Sequence, residues 1–226
     1  MPSKAQVLRL SRSLNTVSGK ARADFSKFWS RLDKTDLVAA REALEEFYPA
    51  MIDKWGDIAG LVAAEWYEET YALNAVLAEL PAPEQANTNL RWALTEAFKG
   101  DLVQAEKTVG LVTDRFVKNV GRDSVRLSAN RNKQRWARVP AGRETCGWCF
   151  MLASRGYVYG SERKARGIES FHSNCDCQIV PDDGVRPEGY DPDEMYEMYK
   201  SVHQRGDTDW QVAKKLEETF DFIKKH

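Results

Sequence analysis

The sequence predicts an α+β protein that is mostly α: an N-terminal helical arm or bundle, a small Cys/His metal-stapled α+β module, then C-terminal helices. Three observations carry this. Apolar side chains in the first half recur at three- and four-residue steps, composition turns basic after Gly121, and all four cysteines fall in two close pairs, Cys146 with Cys149 and Cys175 with Cys177. The corresponding segments are 1–121, 122–181 and 182–226.

The helical half reads in order. From Asp36 to about Ala78, Leu37, Leu44, Phe47, Met51, Trp55, Ile58, Val62 and Trp66 form one apolar stripe. Pro49 lies inside it and is expected to kink the helix or begin another. The two prolines of Glu79–Gln85 mark a turn. A helix fits Glu84–Lys99 and stops at Gly100; Asp101 caps the next, which carries Val109, Val112, Phe116 and Val120 to an expected end at Gly121. The tryptophans and tyrosines along these helices read as core.

Composition bounds the classes. A chain of 226 residues that is 42% hydrophobic and 30% charged, without a Ser, Gly or Pro run, reads as globular. No stretch approaches ~18 apolar residues and the N-terminus is amphipathic, so neither secretion nor a membrane span is expected. A reducing cytosol as the place of synthesis weakens a disulfide reading of the cysteines.

The net charge of −1 conceals local imbalance. Between Arg115 and Arg143 stand nine Lys or Arg against Asp123, and between Asp182 and Glu197 seven acids stand against Arg186. The basic stretch includes Arg122, Arg126, Arg131, Lys133, Arg135 and Arg138, with Trp136 among them. Beside a solvated face, it offers contact with phosphate or with an acidic protein surface, since guanidinium forks onto carboxylates as well.

The cysteines space as C-x2-C-x22-H-x2-C-x-C, with His172 three residues before Cys175. Zinc takes four tetrahedral sulfur or nitrogen ligands, and two close pairs supply them at small entropic cost. Cys146, Cys149, Cys175, Cys177 and His172 thus compete for four places. Gly147 reads as the residue that permits a tight knuckle turn. A redox CxxC, structural disulfides and unlinked buried thiols are the other readings of the same residues. No HExxH, GxSxG or Gly-rich phosphate loop is present, and a Ser154 or Ser170, His172 and Asp176 arrangement is one that any Ser- and Asp-rich chain allows. No catalytic residue is assigned; a hydrolase using His172 is the alternative.

The C-terminus reads as a docking helix, capped by Thr208 with Gln211, whose Trp210, Leu216, Phe220 and Ile223 would meet a partner or pack on the chain's own helices.

The run WARVPAGRETCGWCFMLASRGYVYGSERKA, followed by FHSNCDCQIVP, resembles the signature of the MuF-like minor head proteins of tailed phages, those of actinobacterial phages above all. GRDSV and the helix AAEWYEETYAL are similar to the helical portion of those proteins. The resemblance implies an internal virion component made in the host cytoplasm and associated with the portal or other head proteins and with packaged DNA. Self-association in the particle is compatible with it.

Overall fold

The computed structural model describes residues 2–142, 145–160, 171, 175–221 and 223–224. Three long helices dominate: α1 (Lys4–Trp29), α2 (Leu37–Tyr71) and α5 (Leu102–Arg131), each packed against the other two. Short helices α3 (Pro83–Ala93) and α4 (Thr95–Phe98) lean on α2 and α5. The protein is α+β and mostly α, as the sequence predicts.

Each long helix begins at a side-chain cap that satisfies an orphan N–H. Ser3 and Gln6 form a reciprocal box on α1. Asp36 accepts from Ala39 N at 3.0 Å and Asp101 from Gln104 N at 2.8 Å. On α1, Val7, Leu10, Leu14, Val17, Ala21, Phe25 and Trp29 are buried, one residue per turn of the inward stripe. Gly100, at φ +94°, ends the α3–α4 segment as expected, although that segment breaks at Leu94.

Three expectations are corrected. Pro49 does not begin a second helix, since α2 runs through it unbroken: the carbonyl that proline leaves without its usual donor, that of Glu45, accepts instead from Asn87 Nδ2 on α3 at 3.1 Å. That helix ends at Tyr71 rather than near Ala78, because Ala72 turns left-handed (φ 54°); the chain then runs along α5, where Val76 N and Ala78 N donate to the hydroxyls of Ser128 and Ser124. Finally, α5 passes through Gly121 and stops only beyond Arg131, where left-handed Lys133 lets Gln134 N reach back to Ala129 O. Gly121 serves packing: a Cβ there would lie 2.6 Å from Leu14 Cδ2 and 3.0 Å from the Ala59 carbonyl.

Among the described residues the remaining elements are β1 (Trp136–Val139), β2 (Thr145–Cys146), α6 (Gly147–Ala153), β3 (Gln178–Pro181), α7 (Pro192–Val202), α8 (Asp209–Thr219) and β4 (Ile223–Lys224). β1 pairs antiparallel with β3, Trp136 opposite Pro181 and Val139 opposite Gln178, and both strands are fully buried. β2 pairs in parallel with β4. One buried cluster runs from Leu10 and Leu14 of α1 through α2 and α5 to all four cysteines. Among the described residues no helix is long and apolar enough to cross a membrane.

Candidate metal centre

Cys146 closes β2 and caps α6, its sulfur accepting from Cys149 N at 3.3 Å. Cys149 lies in the first turn of α6. Cys175 and Cys177 stand in the stretch just before β3, outside any helix or strand. The sulfurs of Cys149, Cys175 and Cys177 all lie within 4.8 Å of one another, and Cys149 Sγ is 3.3 Å from Cys175 Sγ. Four Zn–S bonds of ~2.3 Å in a tetrahedron place sulfurs about 3.8 Å apart, so these thiols are within a small adjustment of a ligand set. Cys146 stands outside the triad but against Cys149. All four are unbridged and buried. His172 lies outside the described residues, as does Arg143.

The electrostatics favour a thiolate at Cys175. Hydrogen bonds from the Cys149 and Cys177 thiols hold it well below the ordinary thiol range despite burial, and the guanidiniums of Arg122 and Arg138 add to this. Hydrogen bonding with Cys146, then with Cys175 and Cys177, pushes Cys149 up. Asp176, between the two cysteines, accepts from Gly142 N at 2.9 Å and Thr145 Oγ1 at 3.4 Å, tying the CxC segment to Gly142 and to the start of β2. Burial, and next the charge of Cys175, raise its carboxyl.

The basic stretch divides. Arg122 and Arg138 are 2% and 0% exposed and belong to the interior beside the thiols, so they leave the set of groups able to face a polyanion. Arg126 is half-buried and pairs with Asp123 at 2.9 Å. Arg131, Lys133 and Arg135 are exposed around the end of α5. A charge count along the sequence cannot separate these fates; the signal available was that Arg122 falls on the same helical face as Val125 and Ala129, both buried.

The C-terminal residues divide as well. The capping box of Thr208 and Gln211 forms. Leu216 and Ile223, however, are 0% and 2% exposed and pack against Phe150, Met151 and Leu152 of α6, and Ile223 lies in β4 beyond the helix. Phe220 is half-buried; Trp210 remains exposed, its ring 6.5 Å from that of Trp148. The face expected to dock a partner is therefore covered largely by the chain itself. Glu217 on α8, which the sequence reading passed over, accepts from Gly147 N at 2.8 Å and so holds the start of α6 between the two cysteines.

Fold and site together define a mostly helical protein whose bundle is joined to a small module around a sealed cluster of thiols. The chain belongs to the VG15 protein family, whose model matches residues 1–202. It is similar to the Gene 15 protein of Mycobacterium phage D29, 30% identical over an alignment covering 61% of this chain and 65% of that one. It is also similar to the Gene 15 protein of Mycobacterium phage L5, 27% identical with 61% and 63% covered. The chain thus spans a little under two thirds of the length of these relatives. No solved structure matches it. Both relatives are phage proteins; the narrower likeness to MuF-like minor head proteins rests on the signature alone.

Proposed function

We propose that this chain is a minor head protein of a tailed phage, held inside the virion, where it bridges the portal and the packaged DNA as a structural rather than a catalytic component. The observation that carries the reading is the burial of the thiol cluster. Cys149 and Cys177 are 0% exposed and are walled by the bundle, α6 and two arginines, which suits a metal that fixes a fold and offers a substrate no approach. Zinc on these thiols would staple segments 26 residues apart, Cys149 and Cys175, into one module. The exposed groups are of a binding kind: Arg131, Lys133 and Arg135 at the tip of α5 would meet DNA phosphates without regard to sequence. Membership of a family with mycobacteriophage members supports the phage setting.

Quantitative mass spectrometry of purified, nuclease-treated particles tests this. The chain is expected in the particle at a fixed number of copies, and to leave with the portal when particles are disrupted. Its presence in infected cells but not in finished particles would overturn the reading.

A further inference from the structure

We propose that Arg122 and Arg138 are positioning residues of the metal centre: a pair of buried cations that hold the Cys175–Cys177 segment in ligand geometry and offset the charge of the thiolates. This rests on the metal reading above. Arg122 projects from α5, Nε donating to the Cys177 carbonyl at 3.0 Å and Nη2 to the Cys175 carbonyl at 2.7 Å. One rigid fork thereby sets the spacing of both ligand-bearing residues. Arg138 projects from β1, its Nη2 3.5 Å from Cys175 Sγ. Both guanidiniums also lie on the ring of Phe171, their Cζ atoms 4.2 Å and 3.9 Å from its centre, so one buried aromatic side chain packs against both cations.

Charge explains why two cations occupy the interior. A divalent metal on three or four thiolates carries a net charge of −1 or −2, and a buried anion of that size is stable only with opposite charge nearby. Guanidinium suits the place better than ammonium because it is always charged, more weakly hydrated and donates in a fixed plane. Arg122 also comes from the helical bundle, so the ligand segment is registered on α5 as well as through β3 and Asp176.

The test is zinc affinity by chelator competition on the full chain, with the helical far-UV signal followed in parallel. Arg122→Met and Arg138→Met are each expected to weaken zinc ~10–100-fold, the range found when groups supporting metal ligands are removed. Arg138→Lys, which keeps a cation beside Cys175, should remain near wild type, whereas Arg122→Lys, unable to bond both carbonyls in one plane, should fall about tenfold. Arg91→Met, which removes ion pairs on the surface of α3 with Glu45 and Glu84, should leave zinc affinity unchanged. If wild type takes up no zinc, the metal reading fails and the arginine assignment with it. If wild type binds zinc and the Met variants bind it equally well, the arginine assignment alone fails. Should a Met variant lose the helical signal, the decision passes to the Lys pair, and an Arg122→Lys affinity equal to wild type overturns the assignment.

Discussion

At position 147 any side chain would need space that the C-terminal helix already fills. A Cβ on Gly147 would sit 2.7 Å from Glu217 Cγ and nearer still to the Ala213 carbonyl oxygen. The glycine of CGWC is therefore required by the approach of α8, a reason beyond the tight turn read from the sequence. Because the obstruction is backbone, it cannot be relieved by rotating a side chain. Gly147→Ala is expected to cost ~1–3 kcal/mol or more, as overpacking does, read as a lowered midpoint in urea denaturation. The same count applies at Gly121, where Leu14 and the Ala59 carbonyl crowd the site. Such glycines are legible in sequence as glycines, but their reason is a contact with a residue dozens of positions away.

Elements whose boundaries are set by neighbours in the chain were the ones sequence could place. Asp101 with Gly100, and Thr208 with Gln211, are caps whose donors and acceptors lie within four residues, and both formed where expected. Pro49 was not decidable that way, since its outcome turns on Asn87 supplying the donor that the helix lacks. Asn87→Ala should leave the Glu45 carbonyl without that donor at the α2–α3 contact and lower stability by ~1–3 kcal/mol, the cost of an unmet polar group; replacing Pro49 by Ala in the same chain should recover much of it. A double-mutant denaturation cycle reads this, and independent, additive effects would contradict it. The C-terminal helix offers a second check. With Leu216 fully buried on α6, Leu216→Ala should destabilise the isolated protein by ~2–5 kcal/mol, whereas a helix waiting for an outside partner would leave its melting unchanged. The sequence showed that face to be apolar, and its choice of partner was a matter of tertiary packing.

In the whole molecule, a bundle built on α1, α2 and α5 presents the thiol module at one side and a short cationic turn at the end of α5. The convergence of Cys149, Cys175 and Cys177 was legible in their spacing, whereas the place of Cys146 outside that triad was not. The role of Arg122 and Arg138 was not, because a run of charge gives no sign of which members turn inward. With those two inside, the proposed contact with DNA rests on Arg131, Lys133 and Arg135, which are exposed. Replacing these three by Ala should flatten the dependence of log affinity on log salt by about 2.7, at ~0.9 per phosphate contact on duplex DNA, while Arg91→Ala leaves the slope as it was. An unchanged slope in the triple variant would remove this turn from DNA and leave it for an acidic protein surface. The central claim, that the converging thiols hold one structural metal ion, is tested most directly by native mass spectrometry of the full chain beside its Cys149→Ser and Cys177→Ser variants. One zinc per wild-type chain, lost in both variants together with the order of the module, is the predicted result. A wild-type mass free of metal after purification in zinc-replete buffer, with both variants melting as the wild type does, would contradict it.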